Sequence, residues 1–127
     1  MEGFIRVRMS LADSHYGGGV VAGARVLQLV GDALTEALIR HDGDEGLERT
    51  MNVELLAPVY AGDYLEVRAR LLSIGRSSRP FECTVHKCIR LLSPDGSAAE
   101  VLSEPVLVMK ASGVAVVPVN KQRSVAS

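Results

Sequence analysis

The chain predicts an α+β domain in which one antiparallel five-stranded sheet wraps around a single long central helix. Three observations carry that prediction. Between Val20 and Arg40 the polar residues Arg25, Gln28, Asp32 and Glu36 recur at steps of three, four and four, one narrow stripe of a helix. The remainder of this segment is almost wholly apolar, the reverse of an ordinary surface helix. The segments that follow alternate apolar and polar residues with a period of two, so the cover for this helix must be a sheet.

Taken in order, Phe4 to Met9 alternates apolar and basic residues and predicts a half-buried first strand. Ser10 to Gly19 is a loop rich in turn formers that ends in a run of glycines. The helix over Val20 to Arg40 stops near Asp42, where Gly43 can take the left-handed conformation of a helix terminus. Thr50 to Leu56 predicts a second strand, with Met51, Val53 and Leu55 on one face and Asn52 and Glu54 on the other. Tyr64 to Ile74, Phe81 to Leu91 and Glu100 to Val117 supply three further strands, separated by turns at Gly75 to Pro80 and at Ser93-Pro94-Asp95-Gly96-Ser97. The last strand is expected to bend at Pro105 and at Ser112-Gly113. With no repeat and no linker, residues 1–118 make one domain, and 119–127 a loose polar tail.

Composition narrows the function classes. A chain of 127 residues can bury a real core, and a net charge of −1 with interspersed signs points to neither nucleic acid nor a membrane surface as partner. The amino terminus lacks the apolar stretch of a secretory signal, and no apolar run is long enough to span a bilayer. Cys83 and Cys88 lie five apart in a predicted strand, about 16 Å from each other on opposite faces, and so cannot bond. Free thiols without a signal segment read as cytoplasmic. His15, His41 and His86 stand on separate elements without a paired spacing, so no metal site is expected.

The order β-α-β-β-β-β around one buried helix is the hotdog architecture. Within it, Pro58-Val59-Tyr60-Ala61-Gly62-Asp63 matches the P-V-x-x-G-D segment common in hotdog proteins that handle coenzyme A thioesters. The chain further resembles the 3-aminobutyryl-CoA and β-alanyl-CoA ammonia-lyases of amino-acid fermentation. The segments that carry the resemblance are RMSLADSHYGG (Arg8 to Gly18), GAR (Gly23 to Arg25), GDALTEALI (Gly31 to Ile39), DGDEGL (Asp42 to Leu47) and NVELLAPVYAGD (Asn52 to Asp63). The pair His86-Lys87, SEPV at Ser103 to Val106 and the terminal VVP and KQR runs extend it over nearly the whole chain. P-V-x-x-G-D alone is weak, whereas the ordered set is specific. The departures are Gly19, where the family pattern leads to Asn, and the tail after Pro118.

The resemblance implies reversible elimination of ammonia from a short β-aminoacyl-CoA. Such chemistry needs a base for the proton alpha to the thioester and donors for the carbonyl oxygen as charge builds there. Gly17, Gly18 and Gly23 place small residues where the helix begins, so that backbone N–H groups can meet a thioester; the alternative is a flexible loop and a plain helix start. Glu54 and Asp32 rank first as base and Glu36 third. Asp32 and Glu36, one turn apart, would disfavour double ionisation if both were buried. Asp32 paired with Arg25 or a partner cation, and a solvated Glu54, are the bland readings. Gly31 in mid-helix costs roughly 1 kcal/mol against Ala, and either admits a close strand or makes room for ligand beside Asp32.

His15 and Tyr16 can orient substrate or exchange a proton, or serve as structural loop residues. Arg76, Ser77, Ser78 and Arg79 form a basic, hydroxyl-rich turn suited to coenzyme A phosphates or simply to water, and His86 can line the path of the coenzyme A arm. His41 reads as a cation at the helix C-terminus. No cofactor is expected beyond the coenzyme A of the substrate. A thioesterase, or a non-catalytic acyl-CoA-binding subunit, is the competing reading of the same scaffold. The choice between a β-alanyl and a 3-aminobutyryl group rests on one methyl, worth about 1–3 kcal/mol.

A chain that cannot cover its own helix should pair. Light scattering is expected to return at least a dimer, with ligand sites at the interface, and a mass near the chain's 13.6 kDa would refute this.

Overall fold

The computed structural model describes residues 2–123. Its elements in chain order are β1 (Glu2–Arg8), β2 (Val20–Val21), α1 (Gly23–Asp42), β3 (Leu47–Leu55), β4 (Val59–Tyr60), β5 (Tyr64–Leu71), β6 (Ser78–Leu91) and β7 (Ala99–Val116). Five strands form one antiparallel sheet in the order β1-β5-β6-β7-β3, and β2 and β4 form a separate two-stranded ribbon. Every predicted strand is present. The ribbon is the addition, and it shortens the helix: Val20 and Val21 pair with Tyr60 and Val59, so α1 starts at Gly23 rather than at Val20. β-Branched residues pack readily in such a pairing, and here it overrides the helical pattern.

The core lies between α1 and the concave face of the sheet. Val26, Leu29, Val30, Ala33, Leu34, Ala37 and Leu38 are buried on the helix, against Leu65, Val67, Ala69, Phe81, Cys83 and Val85 of the sheet. The alternation read from the sequence is real: the partners of those strand residues, Glu66, Arg68, Arg70 and Glu82, face outward. There Glu66 pairs with Arg6 and Arg68 at 3.3 and 3.1 Å, Arg70 pairs with Glu82, and Arg68 stacks 4.8 Å above the Phe4 ring. Strand β1 crosses the helix in backbone contact. A Cβ on Gly3 would stand 2.0 Å from the Ala33 carbonyl oxygen, so only glycine fits there.

The C-terminal end of α1 is held by a buried ion pair. Arg79 and Asp42 are 1% and 3% exposed, and the guanidinium donates to both carboxylate oxygens at 2.8 and 2.9 Å. It also donates to the carbonyls of Gly75 and Ser78 at 2.6 and 3.0 Å. Gly43 takes the expected left-handed conformation, with φ of 80°. The expected loose tail needs correction for residues 119–123. Val119–Lys121 makes a 3₁₀ turn, Arg123 donates to the carbonyls of Ile39 and Arg40, and Gln122 donates to those of Arg76 and Val117. The Arg123 N–H also donates to the Asp42 carbonyl, so this segment is bonded along the C-terminal end of α1. The last four residues of the expected tail lie outside the described residues.

The opposite flank is open. β3 is the edge strand beside β7, and Leu47 and Leu55 are 74% and 66% exposed. Between α1 and β3 runs a groove of about 550 Å³ lined by Leu27, Gly31, Asp32, Thr35, Thr50 and Met51 among others.

Asp42→Asn leaves the Arg79 guanidinium buried without its counter-charge, and should lower the unfolding free energy by about 3–5 kcal/mol in urea denaturation at neutral pH. The Arg79 hydrogen bonds hold the Asp42 carboxyl below its ordinary value of 3.8. A depressed folded-state value makes this contribution full above about pH 4 and removes it as pH falls through the lowered value. The wild type should therefore lose stability in that acid range more steeply than the variant.

Candidate active site

The loop before the helix is built to hold a shape. Asp13 accepts from the backbone and hydroxyl of Ser10 at 2.7 and 3.1 Å, and from Arg25 Nε at 2.8 Å. The Arg25 hydrogen bond, with the Ser10 backbone bond behind it, keeps the Asp13 carboxyl below its usual range. Arg25 thus pairs with Asp13 and donates to Gln28 at 3.2 Å, not to Asp32. The N–H groups of His15 and Tyr16 both donate to the Val20 carbonyl, at 2.9 and 3.2 Å. Their rings meet edge to face, with centroids 4.9 Å apart. Gly17–Gly19 then forms a 3₁₀ turn in which Gly18 and Gly19 have φ of 74° and 77°, a conformation that favours glycine.

This turn delivers the chain to an uncapped helix. Ala22 at the N-cap offers no side-chain acceptor, and the N–H groups of Gly23 and Ala24 donate to no protein acceptor among the described residues. Gly23 lines a cleft of about 370 Å³ whose lining is mainly apolar, with Val21, Val26, Leu55, Pro58, Met109 and Tyr16 among its walls, while Ala24 lines the groove between α1 and β3. Free backbone donors at the positive end of a helix dipole, beside an apolar cavity, can polarise a carbonyl oxygen without a metal. Among the described residues no group of three or more His, Cys, Asp or Glu is placed to hold a metal ion, and no helix is long and apolar enough to cross a membrane.

The expected site residues fall into separate places. Tyr16 and Gly23 line the helix N-terminal cleft, Gly17 and Gly18 form the turn above it, and His15 is exposed and stacked on Tyr16. Asp32 is exposed in the groove between α1 and β3. Gly31 beside it has no strand packed on it; a Cβ there would meet only the Glu48 carboxylate, at 3.1 Å, so its smallness widens the groove. Glu48 is thus a second carboxylate in that groove, which the sequence reading passed over.

Two expectations are corrected in the protomer. Asp32 and Glu36 are not a desolvated pair: Asp32 is exposed, and Glu36 accepts from the Phe4 N–H at 2.6 Å and from Arg40 at 3.4 Å, tying β1 to the helix. Arg79 is not part of an exposed basic turn, because its donors are taken by Asp42 and two carbonyls. Arg76 is exposed, and Ser77 and Ser78 are half-buried, near the helix C-terminus. Twenty residues of helix, about 30 Å, separate this turn from the glycine turn, so one ligand touching both would have to be shared between copies. Glu54 is exposed opposite Lys110, on the sheet face turned away from α1, whereas Val53 and Leu55 pair with the buried Ala111 and Met109. His86 is half-buried on β6, and its Nδ1 is buried without a partner among the described residues.

The thiols are quiet. Burial pushes Cys83 up to about 12, and burial together with donation to the Glu66 carboxylate at 2.8 Å pushes Cys88 up to about 11. Neither is a nucleophile near neutral pH.

Comparison with known proteins identifies the family. The model of the thioesterase superfamily matches residues 18–88. The chain is 48% identical over 125 residues to the 3-aminobutyryl-CoA ammonia lyase of Acetoanaerobium sticklandii, covering 97% of this chain and 99% of that protein. It superposes on the β-alanyl-CoA:ammonia lyase from Clostridium propionicum with a TM-score of 0.93 at 29% identity, covering 100% of this chain and 92% of that one. A hexameric hotdog fold thioesterase of Campylobacter jejuni shares the fold, with a TM-score of 0.71 at 18% identity over 97% of this chain and 88% of that one.

Gly23 tests the cleft. An added Cβ would stand 3.0 Å from Leu55 Cδ1, and Leu55 is exposed enough to swing aside into the cavity. Gly23→Ala should therefore fold normally by circular dichroism while weakening acyl-CoA binding roughly ten-fold in calorimetric titration.

Proposed function

The chain belongs to the thioesterase superfamily, among its coenzyme A ammonia-lyases, and from that premise we propose that it catalyses the reversible elimination of ammonia from a short β-aminoacyl-CoA, 3-aminobutyryl-CoA or β-alanyl-CoA, to the enoyl-CoA. The observation that carries this reading is the 48% identity to the 3-aminobutyryl-CoA enzyme over 97% of the chain. The site's chemistry agrees with it. The thioester oxygen is received by the free N–H groups of Gly23 and Ala24, which stabilise the negative charge that builds when the alpha proton leaves. A carboxylate takes that proton, and the nitrogen departs from the beta carbon in protonated form.

Glu54 and Asp32 are the carboxylates proposed for this work, with Glu36 held in reserve by its bond to Phe4. They lie on opposite faces of the sheet in one protomer, and both flank the unpaired edge of β3. A second copy docking along that edge would continue the sheet, cover Leu47 and Leu55, and assemble the site from two chains. A homodimer or higher oligomer is thus proposed, in line with a hexameric hotdog relative. Coenzyme A belongs to the substrate and no other cofactor is proposed. His15 and Tyr16 are proposed to orient the acyl group, and Arg76, Ser77, Ser78 and His86 to meet the coenzyme A of a ligand shared between copies. The two unbridged thiols fit a reducing compartment, the cytoplasm.

Incubation with β-aminoacyl-CoA should release ammonia and no free thiol; thiol release without ammonia would make the protein a thioesterase instead. Glu54→Gln should lower kcat about a hundred-fold or more while retaining coenzyme A binding, since the amide keeps the shape but accepts no proton. If Asp32→Asn shows that loss and Glu54→Gln does not, the groove carboxylate is the base. Normal turnover in both variants removes a carboxylate base from the mechanism.

A further inference from the structure

A second cleft, of about 590 Å³, lies on the other side of the glycine turn, between Gly18, Gly19 and the end of β6. Two charged groups in its wall are almost out of water: Asp63 is 2% exposed and Lys87 is 8% exposed. The proposed reaction assigns neither a role. The Lys87 ammonium donates to the Asp63 carboxylate and to the Pro58 carbonyl, each at 2.9 Å, and lies 5.3 Å from the centre of the Tyr60 ring. All three contacts belong to the segment Pro58 to Asp63.

That segment is bonded within itself, to Met9 after β1 and to the chain that enters the helix. Asp63 accepts from the Tyr60 N–H at 2.8 Å, Ala61 N–H donates to the Gly19 carbonyl at 2.8 Å, and Gly62 N–H donates to the Met9 carbonyl at 2.7 Å. Val59 and Tyr60 pair with Val21 and Val20, and two residues after Val21 the helix begins. Pro58 and Val59 also wall the apolar cleft lined by Gly23, the first of the two helix-start residues with free N–H groups. The distance between those donors and the opposite wall is therefore set by how the segment is clamped. A buried ammonium is costly unless paired and hydrogen-bonded, and an apolar pair would hold a core as well. What a lysine adds is a compact head with three donors, which here grips the two ends of a six-residue segment at once.

We propose that Lys87 is a positioning residue: by clamping Pro58 to Asp63 it holds β4 against β2, and so keeps the Gly23 and Ala24 N–H groups where they polarise the thioester carbonyl. The proposal rests on the ammonia-lyase reading for the identity of the reaction but not for the geometry. Its test uses the carbonyl itself. Crotonyl-CoA labelled with ¹³C at the thioester carbon is bound to the whole protein, and its C=O stretch is read by isotope-edited infrared spectroscopy. In the wild type the band should shift to lower frequency on binding. In Lys87→Met most of that shift should vanish while the Kd for crotonyl-CoA changes less than about three-fold, and kcat for ammonia release should fall roughly ten-fold or more with KM nearly constant.

If Lys87→Met does not fold, the double variant Lys87→Met/Asp63→Asn buries no lone charge and keeps an acceptor for the Tyr60 N–H; the same loss is expected of it. A full downshift in whichever variant folds overturns the proposal, as does the lack of any downshift in the wild type. A wild type that polarises crotonyl-CoA but releases no ammonia from any β-aminoacyl-CoA defeats the lyase reading and leaves the role of Lys87 to be decided by the band shift in the variant.

Discussion

A helix of twenty residues with buried side chains along most of its length, served by a single sheet, is the constraint from which the rest of the molecule follows. The sheet must curl, so that β1 and β5 lie directly on α1 while β6 reaches it more lightly. β1 approaches so closely that Gly3 touches the helix backbone at Ala33. Both helix ends are fixed by polar contacts as well. At the C-terminus the Asp42–Arg79 pair and Arg123 do this. At the N-terminus no side chain caps the helix, and the β2–β4 ribbon and the Asp13–Arg25 pair hold it instead.

That difference between the two ends has a chemical consequence. An end satisfied by its own protein has nothing left to bind. An end held from the sides keeps its N–H groups free, and here Gly23 stands on a mainly apolar cleft. The same economy explains the open flank at β3. One sheet can enclose only part of a helix that is apolar on most sides, and the uncovered part, bordered by Asp32 and Glu48, stays open in the protomer.

The strands, their alternation and the turn residues were legible in the amino-acid order, because a period of two is imposed by backbone geometry alone. Phe81, Cys83 and Val85 face inward as their spacing requires. That same spacing carries a signal that composition obscures: Arg79 and Lys87 fall on the inward phase of β6 and are both buried. Reading the turn at Arg76 to Arg79 as uniformly exposed weighed residue type over phase. The two-residue ribbon was not legible, since Val20 and Val21 suit a helix or a strand equally and only Val59 and Tyr60, nearly forty residues later, decide between them.

What the sequence by itself determined is local and periodic. One helix, five strands, the glycine turn, the left-handed Gly43 and the family resemblance all rest on neighbours in the chain or on ordered motifs. What only the tertiary structure decided is which charged groups meet. Asp42 finds Arg79, Asp63 finds Lys87, Arg25 takes Asp13 rather than Asp32, and Glu36 binds the backbone of Phe4. The physical reason is that a charge accepts any partner of opposite sign or any free polar group within reach. Which one comes within reach depends on how sheet and helix are laid against each other, and no spacing along the chain encodes that.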